Sequence, residues 1–412
     1  MNVRITPGKL RGNVDAVSSK YDLHRLAICA ALSDAPTRIR CGALSADIEA
    51  TLDCLKSLGA FWSKTPDGVS ITPVRESLAR AELRCGESGS TLRFLLPVAA
   101  ALTEEASFFG GAELPNRPLE PLLRAMRSGG CACAVPDRKG AGTPIITVAG
   151  KLQSGRFTLP GDVSSQFVSG LLFALPLLSG DSEIILTTSL ESAGYARMTA
   201  ETLHRFGVKI EWTQAQRLLI PGGQSYRSPG EVAAQGDWAS AAFWLAANFL
   251  GSDIRVSGLS EDVIQVDKAI VPLLERLRRF SSETVEIDAS QIPDLVPVLA
   301  AAAAAEPVDA RIFGAARLRA KESDRLKAIA TNLRALGGDV AETMDGLIIH
   351  GKYGLDGGVV DGWNDHRIVM ACAIAGTACR GALTIRGAQA VRKSYPAFFE
   401  DFARLGGEYR VV

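Results

Sequence analysis

The chain has 412 residues, of which 47% are hydrophobic and 22% are charged, a composition typical of a globular protein. That length exceeds what one hydrophobic core normally supports, so we expect two domains. The 45 basic residues balance 45 acidic ones, which argues against a general binder of nucleic acids and still permits a local cationic pocket.

The sequence also bears on where the protein works. It begins Met1-Asn-Val-Arg-Ile-Thr-Pro7, which lacks the apolar core of a secretory signal. The longest apolar stretches, Phe167–Leu178 and Leu295–Ala305, are too short to span a bilayer. We therefore expect a cytoplasmic protein.

The eight cysteines do not follow the spacing of a metal site. Cys29, Cys54, Cys372 and Cys379 lie in apolar helical patterns, and Cys131-Ala-Cys133 has neither the spacing of a zinc knuckle nor a second matching pair. We expect no metal ion in this protein.

A helix followed by a short strand recurs along the chain. Each copy is an amphipathic pattern that ends at a small residue or a basic turn, where a left-handed glycine would close the helix. The copies recur at roughly 55–80 residues, which is too long for a simple solenoid and indicates multi-element α/β modules. Their ends fall at Gly59, Gly129, Gly207, Phe280, Gly337 and Gly406.

The loop-like stretch Pro221–Gly230 separates three of these copies from the other three. We therefore predict two similar domains of three modules each, one over residues 13–231 and the other over residues 1–12 plus 232–412. A ligand site between two such domains is a common arrangement.

In the first half of the chain, two polar segments precede apolar patterns. Lys20 lies before a helix predicted from His24, and a single lysine of this kind is usually a surface residue. Gly86-Glu-Ser-Gly-Ser-Thr lacks the Lys-Ser/Thr ending of a P-loop, so nucleotide binding is not expected. A tight turn that brings the Gly89 N–H to a ligand is one interpretation, and an ordinary loop before a helix from Leu92 is the other.

A third segment, Ser164-Ser165-Gln166, leads into the apolar run from Phe167. Hydroxyls and free N–H groups at a helix N-terminus form an anion site. Simple capping of the helix by Ser164 or Asp162 explains the same residues.

In the second half, Lys321-Glu-Ser-Asp-Arg325 concentrates two cations, two carboxylates and a hydroxyl. If this segment opens a helix, Lys321 and Arg325 lie one turn apart on one face with Glu322 beside them, which suits an anionic substrate that needs proton transfer. A solvated helix start with an internal salt bridge is the alternative.

Two further cationic segments follow. Asp365-His366-Arg367 precedes an apolar helix, and its arginine can clamp a carboxylate or phosphate. A capping aspartate with a surface arginine, and a structural His366, remain equally open. Lys393 lies before Ser-Tyr-Pro396, ahead of the last helix.

Taken in order, these motifs resemble the EPSP synthase family, the 3-phosphoshikimate 1-carboxyvinyltransferases, over nearly the whole chain. The most specific segments are Gly86–Arg93, Ser164–Gln166, Lys321–Arg325 and Asp365–Arg367. The resemblance implies two inside-out α/β domains, each of three βαβαββ-type modules, hinged around an active site in the interdomain cleft. It also implies a monomer.

The resemblance further implies a reaction. The 5-hydroxyl of shikimate 3-phosphate adds to C2 of phosphoenolpyruvate, C3 is protonated, and the tetrahedral intermediate expels phosphate. No metal or organic cofactor takes part, and the partners are these two small molecules. Both substrates are polyanions, so the chemistry requires cations and proton-transfer groups.

The resemblance also assigns site residues. Asp294 would accept the proton of the 5-hydroxyl, Glu322 would act as acid and base at the enolpyruvyl carbon, and Lys20 and His366 complete the catalytic set. Shikimate 3-phosphate would be bound by Lys20, Arg25, Ser164, Ser165, Gln166, Ser192, Tyr195, Asp294 and Lys321. Phosphoenolpyruvate would be bound by Lys20, Gly89, Gln166, Arg325, Arg367 and Lys393.

The chain departs from the family pattern at four positions. Tyr21 stands where the family usually has Ser, Glu113 where it has Arg, Arg317 where it has Asn, and Arg197 where it has Asp. Glu113 replaces a cation by an anion beside a polyanion, so we expect weakened phosphoenolpyruvate binding and weak inhibition by glyphosate, unless Arg117 or Arg84 compensates.

Two other functions remain open on the sequence alone. In the first, the chain would be a non-catalytic relative that binds a shikimate-type ligand. Tyr21 and Glu113 favour this function, and the retention of Asp294, Glu322 and Lys393 disfavours it. Alternatively it transfers enolpyruvate to another acceptor, as the similar UDP-N-acetylglucosamine enolpyruvyl transferase does, which the Ser164–Gln166 and Lys321–Arg325 segments disfavour.

Overall fold

The structure is a computed structural model that describes residues 1–111, 113–137, 142–279 and 283–412. The chain divides into two compact units, which we call the first unit (Ser18–Ala234) and the second unit (Met1–Val17 with Gln235–Val412). The sequence analysis predicts boundaries between residues 12 and 13 and between residues 231 and 232. The structure divides the chain between residues 17 and 18 and between residues 234 and 235. Residues 13–17 lie in the second unit because their strand pairs with Asp253–Ser257 there.

The helices alternate with strands along most of the chain. In chain order, the helices of the described residues are α1 (Lys20–Ala31), α2 (Ala46–Ser57), α3 (Gly89–Leu102), α4 (Glu120–Ser128), α5 (Ser165–Ala174), α6 (Ala193–Arg205), α7 (Trp238–Phe249), α8 (Ile270–Arg279), α9 (Val296–Ala304), α10 (Arg325–Ala335), α11 (His366–Thr377) and α12 (Phe398–Arg404).

The strands are short, mostly of four or five residues. They are β1 (Val3–Thr6), β2 (Arg11–Asp15), β3 (Thr37–Arg40), β4 (Phe61–Thr65), β5 (Gly68–Thr72), β6 (Arg80–Arg84), β7 (Glu105–Phe109), β8 (Ala132–Ala134), β9 (Ile146–Ala149), β10 (Arg156–Leu159), β11 (Ser182–Leu186), β12 (Glu211–Gln214), β13 (Arg217–Ile220), β14 (Glu231–Ala233), β15 (Asp253–Ser257), β16 (Val285–Asp288), β17 (Asp309–Phe313), β18 (Asp339–Glu342), β19 (Leu347–His350), β20 (Gly358–Asp361), β21 (Leu383–Arg386) and β22 (Glu408–Val411).

One sheet topology recurs in both units, which confirms the predicted repeat. Each copy is a parallel pair of strands extended by two antiparallel strands. In the first unit the orders are β14–β3–β5–β4, β6–β7–β9–β8 and β10–β11–β13–β12. In the second unit they are β20–β21–β1–β22 and β16–β17–β19–β18, and the third copy is reduced, among the described residues, to the parallel pair β15–β2.

The predicted βαβαββ module is directly visible in the segments β6-α3-β7-α4-β8-β9, β10-α5-β11-α6-β12-β13 and β16-α9-β17-α10-β18-β19. The parallel pair β10–β11 runs in register from Arg156↔Glu183 to Leu159↔Leu186, so the helix between its strands is a crossover connection. The fold class is therefore α/β with repeated modules, as predicted.

Helices form the centre of each unit, which is what the term inside-out describes. In the second unit every residue of α9 and α11 is buried. In the first unit α5 is buried along nearly its whole length and packs on α3. A helix that is apolar all round must be surrounded by protein, so these helices form the two cores and the strands lie outside them.

Most predicted helix ends are correct in the structure. Gly59, Gly207, Gly337 and Gly406 have positive φ angles directly after a helix, the left-handed conformation that glycine adopts without steric cost. After α4 the residue with positive φ is Gly130 and not the predicted Gly129. The end predicted at Phe280 lies outside the described residues.

Two predicted helix starts were wrong, and the Lys321–Arg325 segment does not open a helix. Helix α1 begins at Lys20 instead of His24, and α3 begins at Gly89 instead of Leu92, because the Ser88 hydroxyl caps it by accepting from the Thr91 N–H at 3.2 Å. Helix α10 begins only at Arg325, capped by Asp324. Residues 321–323 form an irregular turn, so Lys321 and Arg325 do not share a helical face.

Within the described ranges, no helix is both long and apolar enough to cross a membrane. The same residues contain no cluster of three or more potential metal ligands.

Candidate active site

In the first unit, the N-terminus of α3 lies beside that of α5. Gln166 Nε2 donates to Ser90 Oγ at 2.8 Å, and Arg93 NH1 donates to Gln166 Oε1 at 2.8 Å. Helix α3 therefore holds both ends of the Gln166 amide, next to Gly89. Among the residues that the structure describes, none accepts the N–H of Gly89 or Ser90, so this helix start can receive an anion.

Lys20 is attached to the same region through Asp47. Its Nζ lies 2.8 Å from Asp47 Oδ2, and the two side chains are only 7% and 11% exposed. The Asp47 carbonyl oxygen in turn lies 3.4 Å from Thr91 Oγ1, in the first turn of α3. Lys20, Gly89 and Gln166, three residues assigned to phosphoenolpyruvate, are thus gathered at one helix start.

A buried hydroxyl chain joins α1, α2 and α3. His24 Nδ1 lies 2.8 Å from Thr51 Oγ1, which lies 2.6 Å from Thr91 Oγ1, and Thr91 donates to Ser88 Oγ at 2.7 Å. Burial, reinforced by the charges of Lys20 and Arg25, holds the pKa of His24 well below its usual range. A neutral His24 therefore helps fix the relative positions of Lys20 and Gly89.

Arg25 is occupied by protein acceptors. Its Nε donates to Thr199 Oγ1 at 2.8 Å, NH1 to the Tyr21 carbonyl at 2.6 Å and NH2 to the Tyr195 carbonyl at 2.7 Å. Burial lowers the pKa of Arg25 to about 10, while Asp22 and other neighbours oppose the shift. Only the remaining N–H groups of NH1 and NH2 are available to a ligand.

The two tyrosines held by Arg25 also contact each other. The ring centroids of Tyr21 and Tyr195 lie 4.9 Å apart with the planes tilted by 42°. Tyr21, an unusual residue for the family pattern, is thus accommodated by packing on Tyr195.

Ser164, Ser165 and Ser192 mark the starts of α5 and α6. Ser164 caps α5 by accepting from the Gln166 N–H at 3.3 Å, so the capping interpretation of this segment is correct. Ser192 precedes α6 with a left-handed φ of 50°, a conformation that costs energy for a residue other than glycine. The Glu191 N–H donates to the Gly161 carbonyl at 3.1 Å, which places the loop before α6 beside the chain that enters α5.

The segment around Glu113 lies in the first unit, although Ala112 is outside the described residues. Glu113 is exposed, and its Oε2 accepts from Asn116 Nδ2 at 3.4 Å. The Arg117 guanidinium lies against Gly89, so closely that a Cβ on Gly89 would overlap its NH1. A cation, Arg117, therefore lies at the start of α3 even though Glu113 replaces the usual arginine.

Arg197, another departure from the family pattern, lies 5.9 Å from the Trp212 ring.

In the second unit, Arg325 is the centre of a carboxylate cluster. Its NH1 lies 2.6 Å from Asp294 Oδ1, its NH2 2.8 Å from Glu322 Oε2 and its Nε 2.7 Å from Asp365 Oδ2. Although burial alone would lower it, Asp365, Glu322 and Asp294 raise the pKa of Arg325 well above its ordinary value. The guanidinium holds both carboxylates that are assigned to proton transfer.

Asp365 is the fully buried member of this cluster. It accepts from Arg325, from Ser323 Oγ at 3.1 Å and, as the cap of α11, from the Arg367 N–H at 2.9 Å. The capping interpretation is thus correct for Asp365, but Arg367 is buried and is not the surface residue that this interpretation assumed.

Arg367 and His366 lie on the other side of Asp365. Arg367 NH1 donates to the Ala239 carbonyl at 2.8 Å, and its NH2 lies 3.6 Å from Asp294 Oδ2. His366 Nδ1 lies 3.8 Å from Asp365 Oδ1. The structure therefore brings Asp294, Glu322, Arg325, His366 and Arg367 together.

Lys321 and Lys393 add cations to the second unit. Burial lowers the pKa of Lys321 to about 7, with Arg317 and Arg325 lowering it further and Asp294 and Glu322 opposing. Lys393 Nζ donates to the Asn364 carbonyl at 2.7 Å, just before Asp365 in sequence. Lys321 thus feels the charges of the Arg325 cluster, and Lys393 contacts the loop that leads into α11.

Two residues of this arrangement were missed by the sequence analysis. Asp47 pairs with Lys20 from 27 positions along the chain, and no motif signals it. Asp365 was part of a quoted motif, yet nothing in the motif marks it as the partner of an arginine 40 positions away.

The family model for EPSP synthase (3-phosphoshikimate 1-carboxyvinyltransferase) matches residues 5–402 of the chain. The chain belongs to the EPSP synthase family. It is 44% identical over 420 residues to the 3-phosphoshikimate 1-carboxyvinyltransferase of Clostridium kluyveri, with 98% of this chain and 97% of the relative covered. The corresponding proteins of Clostridium novyi and Clostridium acetobutylicum are 40% and 41% identical, each with 98% of this chain and 98% and 97% of the relative covered.

Solved structures agree on the fold. EPSP synthase from Acinetobacter baumannii superposes with a TM-score of 0.79, covers 100% of both chains and is 24% identical. The EPSP synthase family match covers residues of both units. The residues around the start of α3 in the first unit and the Arg325 cluster in the second unit therefore both lie inside the matched range. The four departures from the family pattern, Tyr21, Glu113, Arg197 and Arg317, lie inside the matched range.

Proposed function

We propose that this EPSP synthase family member transfers the enolpyruvyl group of phosphoenolpyruvate to the 5-hydroxyl of shikimate 3-phosphate and releases phosphate. The observation that carries the proposal is the Arg325 cluster, in which one guanidinium holds Asp294 and Glu322. Addition followed by elimination needs a base at the hydroxyl and an acid that later becomes a base at the methylene carbon. Two carboxylates on a common cation supply both groups.

The proposed reaction balances in two steps. In the first step, Asp294 takes the proton of the 5-hydroxyl while the hydroxyl oxygen bonds to C2 of phosphoenolpyruvate. Glu322 protonates C3 in the same step. Glu322 then removes a proton from C3 as the bond from C2 to the phosphate oxygen breaks. The phosphate leaves with the proton that Asp294 took from the hydroxyl, so both carboxyl groups return to their starting states, and the enolpyruvyl ether is the product.

The binding roles follow the same division. In the first unit, Lys20, Gly89 and Gln166 supply an ammonium, a helix start and a fixed amide for phosphoenolpyruvate, while Ser164, Ser165, Ser192, Arg25 and Tyr195 are assigned to shikimate 3-phosphate. In the second unit, Arg325, Arg367 and Lys393 are assigned to phosphoenolpyruvate and Lys321 to the 3-phosphate. Their charges suit two polyanionic substrates.

We further propose that the protein acts in the cytoplasm as a monomer on these two small molecules, without nucleic acid or membrane partners. The departures at Tyr21 and Glu113 also favour a second possibility, in which phosphoenolpyruvate binds weakly. Arg117 against Gly89 supports retained binding, because it keeps a cation at the start of α3.

The test is phosphate release from phosphoenolpyruvate, with and without shikimate 3-phosphate, together with product mass by mass spectrometry. Release that depends on shikimate 3-phosphate, with a product heavier by one enolpyruvyl group, supports the proposal. Release that requires a different acceptor would place the chain with another enolpyruvyl transferase.

A further inference from the structure

Asp365 has no assigned role, yet it accepts from Arg325, from Ser323 Oγ and from the Arg367 N–H in the Arg325 cluster. Its side chain is fully buried, with Oδ2 2.7 Å from Arg325 Nε and Oδ1 3.3 Å from Arg325 NH2. These two contacts occupy one edge of the guanidinium in the fork geometry that arginine and carboxylate prefer.

That edge determines where the rest of the guanidinium points. An arginine has five N–H groups, and Asp365 takes the Nε–H and one on NH2. Asp294 accepts from NH1 at 2.6 Å, and Glu322 accepts from NH2 at 2.8 Å, so both use N–H groups that Asp365 does not take. The direction of these remaining N–H groups is therefore fixed by Asp365.

Asp365 is itself anchored from two directions. Ser323 Oγ donates to it at 3.1 Å from the turn before α10, and the Arg367 N–H donates to it at 2.9 Å from the first turn of α11. The carboxylate thus joins the Lys321–Arg325 segment to α11. Its position is set by backbone and hydroxyl donors that no ligand has to displace.

We propose that Asp365 is a positioning residue for enolpyruvyl transfer, which holds Arg325 by one edge so that the remaining N–H groups serve Asp294, Glu322 and the carboxylate of the enolpyruvyl donor. This inference rests on the proposed function, because it takes the donor site at Arg325 from it. Asp294 and Glu322 already accept from these remaining N–H groups, so a donor carboxylate that binds there competes with them. Donor binding then loosens the two groups that must move protons.

The test compares Asp365→Asn with Asp324→Asn. Asparagine keeps an acceptor for the Arg367 N–H but presents amide hydrogens to Arg325 and removes the charge. Asp324 is a matched control, since it also caps a helix, by accepting from the Lys327 N–H at 3.0 Å, and also pairs with an arginine, Arg319, at 3.0 Å. It lies outside the Arg325 cluster.

For Asp365→Asn we expect KM for phosphoenolpyruvate to rise by about tenfold or more, with KM for shikimate 3-phosphate changed less than about twofold. Removal of one negative charge leaves Arg325 to stabilise the ionised forms of Asp294 and Glu322 more strongly. The acidic limb of the pH profile of kcat/KM therefore moves to lower pH. Asp324→Asn lowers the melting temperature slightly and changes neither KM nor the pH limb.

Equal rises of both KM values with an unmoved pH limb would show a merely structural role and overturn the proposal, as would wild-type kinetics. If Asp365→Asn does not fold, Ser323→Ala decides, because it removes one donor to Asp365 without changing a charge. A smaller shift of the same pattern supports the proposal, and no shift overturns it. A wild type without phosphate release overturns the proposed function and this role together, whereas an active wild type with unaffected variants overturns this role alone.

Discussion

Lys20 and Asp47 form an ion pair of 2.8 Å that ties the first turn of α1 to the first turn of α2, with both side chains almost completely buried. Removing one partner of a buried pair leaves an uncompensated charge away from water. The pair therefore contributes to stability and also fixes the ammonium assigned to both substrates.

We predict that Asp47→Asn lowers the free energy of unfolding by about 3 kcal/mol, because Lys20 loses its counter-charge. Chemical denaturation monitored by tryptophan fluorescence measures it. The control is Asp67→Asn, which breaks the pair with Arg38 at 2.6 Å, where the side chains are 43% and 46% exposed. That variant should denature like the wild type, and equal losses in both would contradict the role given to burial.

Gly89 has no room for a side chain, because a Cβ would overlap the Arg117 guanidinium. We expect Gly89→Ala to displace the Arg117 guanidinium, the far end of a flexible side chain, and to raise KM for phosphoenolpyruvate by about tenfold. Gly42→Ala is the control, since a Cβ there meets only the Ser18 hydroxyl at 3.8 Å.

A combined variant separates the clash from other effects of the methyl group. If Gly89→Ala acts through Arg117, it costs little more once Arg117→Ala has removed the guanidinium. Steady-state kinetics of the four proteins form the cycle. Fully additive losses would show that Arg117 is not the group displaced.

Lys321 is expected to make KM for shikimate 3-phosphate depend on pH in the neutral range. Its pKa is lowered to about 7, so its ammonium is charged below that pH and neutral above it. We expect KM for shikimate 3-phosphate to rise as pH increases above neutrality, by up to about tenfold per unit where Lys321 dominates binding. Initial rates between neutral and alkaline pH test this.

Replacing Arg317 tests the same pH dependence, because it should shift the pKa of Lys321 upwards. It lowers the Lys321 pKa, so Arg317→Asn should keep the ammonium charged to higher pH and move the rise in KM in the alkaline direction. The neighbouring charges of Asp294, Glu322 and Arg325 are unchanged in this variant. A rise at the same pH in both proteins would mean that another group titrates.

Glu113 is predicted to weaken inhibition by glyphosate, which by resemblance occupies the phosphoenolpyruvate site. Because Glu113 is exposed, Glu113→Arg disturbs no packing and changes two units of charge. We expect about a tenfold lower KM for phosphoenolpyruvate and tighter inhibition. Glu104→Arg, the same exchange at another exposed glutamate of the first unit, should leave both unchanged. If the two variants behave alike, Glu113 does not face the substrate.

The repeated modules were predictable because their signals are local. Gly59, Gly207, Gly337 and Gly406 each close an amphipathic helix, and hydrophobic periodicity lies within the same short window. Helix starts were less predictable. The Ser88 cap depends on one side-chain hydrogen bond, and it moves the start of α3 earlier than the apolar pattern from Leu92 indicated. The Asp324 cap likewise places the start of α10 at Arg325.

The site was predictable as a set of residues and not as a set of contacts. Motif resemblance selected Asp294, Glu322 and Arg325, but the pairing of Arg325 with Asp365 depends on two helices that meet only in the folded unit. Arg25 shows the same limit, since its sequence context gives no sign that backbone carbonyls of Tyr21 and Tyr195 occupy it.

Phosphate release from phosphoenolpyruvate, measured for the wild type and for Asp294→Asn and Glu322→Gln, tests the central claim most directly. The account predicts release by the wild type only when shikimate 3-phosphate is present, and a loss of about 100-fold or more in kcat for each variant, since each lacks one proton-transfer group. The account would be contradicted if the wild type released phosphate equally fast without shikimate 3-phosphate. It would also be contradicted if either variant were as fast as the wild type.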